Sequence, residues 1–514
     1  MVTRLPALWG LLALTLFASV TGHPRGHAPK EPGSPPEHLD LREELESILA
    51  ATGNRQGLWG AMAISLDRGD TLLALNPHRV MVPASNMKVL TVSAALHHLG
   101  PDFTYSTFLL TRGVLRDGVL EGDLVLYGTG DPTLSERFYP TETAPLDSLA
   151  KLVTGAGIRQ IQGDLLVDGT FFQGQELHPD WDPRDLNDPF AAPVSAVSYN
   201  ESLLTLRVEA GERVGSRPAI HTQPPVPGLP VVNTARTVSA GTRSRIWLLR
   251  ESPWDPIGIE GEIPLWGRDV WRRLPVPDPL VFAGGQLQQN LEARGVTVRG
   301  RVRTVRDRAR SPVEAASAPG GDPKSPPVRV LGMRSSPPLL EILRVVNKES
   351  HNLFAETVGK TLGRVVLGDG SFSGGAEAVR RFLVEEAGVP AEEVRIRDGS
   401  GLSPGNGISP GALLQVLHYM AESPHWDELW STLPEAGVRR ELSRMYRSPA
   451  ARNLRAKTGT MEGVSALSGM VRTRSGERIL FSIMANELRS EYRAKRAEDE
   501  LGARLASLSR PLPP

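Results

Sequence analysis

RNLRAKTGT (residues 452–460), followed by VSALSGMVRT (464–473) and RILFSIMAN (478–486), reads as three successive strands separated by short polar turns. The first of them carries Lys457-Thr458-Gly459-Thr460. Only eight of the 58 basic residues are lysines, so chance predicts on the order of 0.04 Lys-Thr-Gly triplets in such a chain. On an edge strand, Lys457 and Thr458 could grip a substrate carboxylate. Gly459 would let a substrate backbone come close, and the Thr460 N–H could face an oxyanion. Taken alone, an ordinary strand end would read the same way.

Working outward, a last helix follows over 490–508, and helical patterns precede the strands: PPLLEILRVVNKES, NLFAETVGKTLG and GGAEAVRRFLVEE. At the other end of the chain, residues 40–52 have helical spacing and 59–66 and 71–75 read as strands around a turn. Pro83-Ala84-Ser85 then opens an apolar helix to about residue 99. The middle has a different texture. Residues 103–168 break into short strands punctuated by Gly and Asp, as hairpins require, with one helix near 146–154. Residues 200–270 look like a small β-domain, 283–294 return to helix, and 315–327 form a Pro/Gly/Ser-rich loop. The ends are α/β and the middle mostly β, which points to one domain split by a long insertion.

Ser85-Asn86-Met87-Lys88 places a hydroxyl and an amine on one face of a helix. A serine becomes a nucleophile when a base takes its proton, and a lysine serves as that base once burial lowers its pKa. A helix start also aims free N–H groups at the reaction centre. Ser148-x-x-Lys151 fits the same spacing, so the pattern is weak by itself. Ser350-His351-Asn352 lies on a turn between two helical patterns, where a hydroxyl and an amide can point the same way. Helix capping explains such a triplet equally well, and Ser198-Tyr199-Asn200 shares the spacing.

The 514 residues include 58 basic and 58 acidic side chains and no cysteine. Balanced charge speaks against a nucleic-acid partner. Without Cys there is no disulfide scaffold, thiolate zinc site, iron–sulfur cluster or thiol nucleophile. There is no His-Glu-x-x-His and no Gly-x-Ser-x-Gly. Gly128-Thr129-Gly130 and Gly359-Lys360-Thr361 lack the glycines that a dinucleotide or phosphate loop needs. The eleven histidines cluster only in the leader, where His23 and His27 could bind stray metal; neither metal nor cofactor is expected. Arg4, an apolar run over 5–20 and Thr21-Gly22 read as a secretory signal over 1–22, followed by a flexible leader over 23–39. The apolar run is about fifteen residues, short of the roughly 20 that span a bilayer. No later segment is long and apolar enough, so no transmembrane anchor is expected after cleavage.

In this order, Ser-x-x-Lys, Ser-x-Asn and Lys-Thr-Gly are the signature of serine acyl-enzymes that handle penicillin. The chain resembles the low-molecular-mass class C penicillin-binding proteins, D-alanyl-D-alanine carboxypeptidases and endopeptidases. The matching stretches are VPASNMKVLT, LYGTGDPTL, DGTFF, APVSAVSYNESLL, PLVFAGGQLQQNLEARGV, SSPPLLEILRVVNKESHNLFAE, DGSGLSPGNGISP and AKTGTMEGVSALSGMVRT, spread over about 400 residues. That family inserts two extra domains between its first two motifs, and 261 residues separate Lys88 from Ser350.

The resemblance implies an α/β (α+β) fold of the serine β-lactamase/DD-peptidase type. An antiparallel sheet flanked by helices, plus an all-helical part, would be formed by 40–105 and 329–514. Two mainly β inserted domains would cover 106–195 with 275–328, and 196–274. It further implies that Ser85 is the acylated nucleophile, Lys88 its base, and Ser350 and Asn352 the second motif. Lys457, Thr458 and Thr460 would bind the terminal carboxylate, with Gly459 beside them in the substrate-binding strand and the N–H groups of Ser85 and Thr460 as oxyanion hole. Asp185 matches an aspartate that holds the amino end of a diamino-acid side chain, although a turn cap fits that loop too. Pro404 stands where the family often has a basic residue, leaving a guanidinium contact there unsupported. His351, the middle residue of its triplet, should matter least. The implied partners are peptidoglycan peptides and β-lactams, met outside the cytoplasmic membrane in the periplasm or cell envelope, with peripheral envelope association compatible with that. Two other readings stand beside it: a non-catalytic envelope protein that binds peptidoglycan, and a related serine β-lactamase or esterase.

Overall fold

In the computed structural model, side chains alternate along the strand Leu58–Ser65 between two cores. Trp59, Ala61 and Ala63 enter one; Leu58, Met62 and Ile64 pack on the other. The described residues are 37–51, 57–226, 229–313 and 327–510. The signal read at 1–22, most of the leader and nearly all of the loop at 315–327 lie outside them.

The strand belongs to a five-stranded antiparallel sheet in the order Thr71–Leu75, Leu58–Ser65, Arg478–Asn486, Val464–Arg472, Arg455–Met461. The two ends of the chain therefore build one sheet, and everything between Leu75 and Arg455 leaves it and returns. Helices Glu37–Ala51 and Glu491–Ser507 cover one face, where Leu41, Leu45, Phe481, Leu501 and Leu505 are buried. Each such side chain contributes about 1.5–3 kcal/mol of apolar burial.

The other face carries the all-helical part. Its axis is the helix Met87–Leu99, buried on every side from Met87 to Leu96: seven of those ten residues are apolar, and Lys88 and Thr91 find buried hydrogen-bond partners. Around it lie Leu339–Lys348, Asn352–Leu362, Phe372–Arg381, Pro410–Glu422 and Trp426–Thr432. Gly100, at φ 76°, ends the axial helix with its N–H on the Leu96 carbonyl.

The segment 103–168 forms one of the hairpins expected of it, Val114–Arg116 with Val119–Glu121 around Asp117-Gly118, but its main sheet departs from that pattern. Its main sheet runs Val302–Val305, Leu165–Asp168, Leu124–Gly128, Ser106–Thr111, Arg329–Ser335, and the first three strands are parallel. The helix Ala144–Gly155 supplies the crossover that parallel neighbours need. Residues 203–275 form two smaller sheets, one of them Leu203–Glu209 with Ala219–Gln223 and Val270–Pro275. Among the described residues no helix is long and apolar enough to cross a membrane.

Candidate active site

Ser85 lies in a single 3-10 turn, Ala84–Asn86, rather than in the first turn of the helix as its spacing suggested. Ala84 before it has φ +46°, a left-handed conformation that swings the chain into the helix at Met87. Lys88 is wholly buried. Its Nζ donates to Asn352 Oδ1 and to the Ser400 carbonyl, each at 2.7 Å, and lies 2.9 Å from Ser85 Oγ. Two acceptors use both N–H groups of a neutral amine, and the remaining lone pair then meets the Ser85 hydroxyl. Burial lowers Lys88 to about 7 against the raising effect of Glu356 and Asp398.

Lys457, also fully buried, donates to Ser350 Oγ at 2.9 Å and to the Thr458 carbonyl at 2.8 Å. Burial, and after it the Lys88 charge, holds it well below the ordinary lysine value. Its strand is the edge of the sheet, with Thr458 half-buried and Thr460 exposed. Three stretches far apart in sequence thus meet through two sets of contacts, Ser85–Lys88–Asn352 and Ser350–Lys457, joined by the short segment 350–352.

Behind Lys88 sit two carboxylates. Glu356, one turn after Asn352 on the same helix, accepts from the Gly399 N–H at 2.9 Å and the Ser400 N–H at 2.7 Å. It thereby fixes the two peptide units just before the Ser400 carbonyl that holds Lys88, and the Gly401 N–H of that carbonyl's own peptide goes to Asp398. Asp398 accepts from the N–H groups of Gly401 and Ser403, from Asn406 Nδ2 and from Trp181 Nε1. Burial and the Asp398 charge push Glu356 up, to about 8. A cavity of about 390 Å³ between the 174–179 loop and the helix Phe372–Arg381 contains none of these groups.

The chain matches the D-Ala-D-Ala carboxypeptidase 3 (S13) family over residues 41–508. It belongs to that family. By that membership it is a serine D-Ala-D-Ala carboxypeptidase of the penicillin-binding type. It is 32% identical over 470 residues to the D-alanyl-D-alanine carboxypeptidase of Actinomadura sp. (strain R39), covering 87% of this chain and 81% of that one. The D-alanyl-D-alanine carboxypeptidase DacB of Haemophilus influenzae is 26% identical over 429 residues, covering 82% of this chain and 84% of its own. The crystal structure of penicillin binding protein 4 (dacB) from H. influenzae superposes with a TM-score of 0.75 at 23% identity, covering 90% of this chain and 99% of that one. That likeness is one of fold.

In this S13 carboxypeptidase, Asp185 ends the short turn Pro183–Asp185, half-buried. Burial, and then the charges of Asp182 and Asp188, raise its carboxyl. The same loop reaches the second motif, since Asn352 Nδ2 donates to the Phe190 carbonyl at 2.9 Å. On its other side Arg184, raised first by Asp182, also senses Glu462 at the turn just past Thr460.

The competing patterns resolve locally. Ser148 donates to the Pro145 carbonyl while Lys151 pairs with Asp147 at the surface. Ser198 donates to the Ser195 carbonyl. Lys360, in the glycine-poor loop pattern, is a buried helix residue donating to the carbonyls of Gln173 and Gln175 against the Phe372 ring. His351 has a long-range partner. Its Nε2 lies 3.0 Å from the buried Glu201 Oε2, so the middle residue of the triplet is anchored, not idle. Glu356 did leave a trace in the sequence: it is the one acid in the helix Asn352–Leu362. Asp398 and Ser400 sit in DGSGLSPGNGISP, a matching stretch to which no role was attached.

Proposed function

We propose that this enzyme cleaves the D-Ala–D-Ala bond of peptidoglycan stem peptides through an ester on Ser85. Lys88 takes the Ser85 proton as Oγ attacks the carbonyl carbon of the penultimate D-Ala. The C–N bond breaks, the proton passes to the leaving amine, and D-Ala departs; a cross-linking amine leaves by the same step in the endopeptidase reaction. Water then hydrolyses the ester. The N–H groups of Ser85 and Thr460 face the developing oxyanion. Lys457, Thr458 and Thr460 hold the terminal carboxylate beside Gly459, and Ser350 relays the proton toward the leaving nitrogen. The observation that carries this reading is the buried Lys88 amine, 2.9 Å from Ser85 Oγ with its other hydrogens engaged.

The same ester explains capture by β-lactams, and a structure of the H. influenzae relative contains a bound β-lactam. We assign the work to the periplasm or cell envelope, reached through the 1–22 signal, with peripheral attachment compatible. The catalytic unit is taken as residues 40–105 with the chain after Ser335. That seam replaces the one drawn at 329 because Arg329–Ser335 pairs with Ser106–Thr111 in the insertion's sheet; 106–195 with the return to Ser335 and 196–274 make up the two inserted domains.

Intact-mass spectrometry after benzylpenicillin tests the reading. The wild-type protein gains one adduct and Ser85→Ala gains none. An unmodified wild-type protein would refute it, and rapid nitrocefin turnover in place of a lasting adduct would favour a β-lactamase.

A further inference from the structure

Ser350 has φ +56°, a conformation that a non-glycine residue keeps only where its surroundings impose it. Both of its neighbours are tied down. Glu349 Oε2 accepts from Arg137 Nη1 at 2.5 Å, and His351 Nε2 meets Glu201 Oε2 at 3.0 Å. Arg137 and Glu201 are joined in turn, Nε to Oε1 at 2.8 Å, and Arg273 reaches Glu201 Oε2 at 3.3 Å. A ring of contacts, Glu349–Arg137–Glu201–His351, thus closes around Ser350. The buried Phe354 is its floor: the His351 ring centroid lies 4.5 Å from that of Phe354, and the Arg137 guanidinium carbon 5.9 Å.

The insertion supplies both outer members. Arg137 follows the strand Asp131–Leu134 and Glu201 follows Val197–Tyr199, and these strands pair in parallel. Glu201 sits in the middle of three successive left-handed residues, Asn200, Glu201 and Ser202, at φ 50°, 58° and 55°. That turn carries a carboxylate, 4% exposed, up to the second motif. Burial pushes its carboxyl up, but hydrogen bonding and charge from His351 and Arg137 outweigh this and keep it ionised.

We propose that Arg137 and Glu201 are positioning residues of the acylation step: they hold the strained turn that presents Ser350 Oγ to Lys457. The inserted segments would then set the acylation rate without touching substrate. Asn352 is secured separately by the Phe190 carbonyl, so the effect passes through Ser350. This inference rests on the catalytic reading of Ser350 given above.

The test is the second-order rate constant of benzylpenicillin acylation in the full chain. Ser350→Ala should lower it about 100-fold, the scale of a lost proton relay. Glu201→Gln should lower it about tenfold or more, by misplacing that relay. In the Ser350→Ala background, Glu201→Gln should change it less than about twofold, because the group it positions is gone. A merely structural role would multiply through instead, and that result overturns the proposal. His351→Leu leaves Glu201 paired with two arginines and serves if Glu201→Gln does not fold; it should show the same loss and the same non-additivity. Wild-type rates in Glu201→Gln or His351→Leu beside a crippled Ser350→Ala would remove the clamp alone. A wild-type rate in Ser350→Ala would remove the catalytic reading and the clamp with it.

Discussion

Gly459 lies against Pro83: a β-carbon at 459 would stand 2.5 Å from the Pro83 carbonyl oxygen and 3.0 Å from Asn86 Nδ2. The glycine of Lys-Thr-Gly therefore makes room for the protein's own nucleophile turn. The sequence suggested room for a substrate backbone. Gly459→Ala must push the edge strand and the Ala84–Asn86 turn apart, an overpacking cost of about 1–3 kcal/mol. An edge strand can absorb this by moving outward and still fold. The expected result is a folded protein whose acylation by benzylpenicillin is slowed at least about tenfold, read by gel or mass kinetics. Unchanged kinetics would show that the contact does not set the geometry of Ser85.

The pH dependence of acylation follows from Lys88. Burial lowers it to about 7, and only the neutral amine can take the Ser85 proton. The rate constant should rise with pH through about 7 and level off above it. Below that it should fall tenfold per unit, in step with the neutral fraction. Rapid-quench acylation from about pH 5 to pH 9 measures the profile. A flat profile across the acidic half would rule out Lys88 as the base.

Asp398 is the knot of the loop behind Lys88. It accepts four hydrogen bonds, from Gly401, Ser403, Asn406 and Trp181. Asp398→Asn keeps the shape but turns an NH₂ group toward donors. Buried donors then face each other, at a cost of about 2–3 kcal/mol. Urea unfolding should show that loss, together with slower acylation because the Ser400 carbonyl on Lys88 is released. Wild-type stability would mean the loop relaxes around the substitution.

The parts of the site that the sequence disclosed are those whose partners lie close along the chain. Ser85 and Lys88 sit three residues apart, Ser350 and Asn352 two, and Lys-Thr-Gly is contiguous. Strand alternation made the catalytic sheet readable in the same way, as Trp59, Ala61 and Ala63 show. The partner of His351, Glu201, lies 150 residues away, and no local pattern reports such a pair. In the insertion, Asp117-Gly118 does close a hairpin between Val114–Arg116 and Val119–Glu121, but the parallel part of the main sheet has no local signal for a related reason. Short strands bounded by Gly and Asp look like hairpins, and only the packing of Ala144–Gly155 as a crossover shows that Leu124–Gly128 and Leu165–Asp168 are parallel. The left-handed backbone at Ala84 and Ser350 had no glycine to announce it; tertiary contacts impose it.

Asp185 offers a prediction about substrate choice. Burial, Asp182 and Asp188 all raise its carboxyl, so an arriving ammonium would relieve repulsion as well as form an ion pair. Its loop is tied to the second motif, where Asn352 Nδ2 donates to the Phe190 carbonyl. A substrate lying along Asn352 would therefore place its side chains near that loop. A stem peptide with a free amine on its diamino-acid side chain should be preferred over the same peptide N-acetylated there. Asp185→Asn should cut kcat/KM for the free-amine peptide about tenfold, the value of one charge-assisted contact, and collapse the discrimination between the two. The D-Ala released from each peptide provides the measurement. If the ratio of the two specificity constants survives the substitution, Asp185 is a turn residue and the amine is read elsewhere.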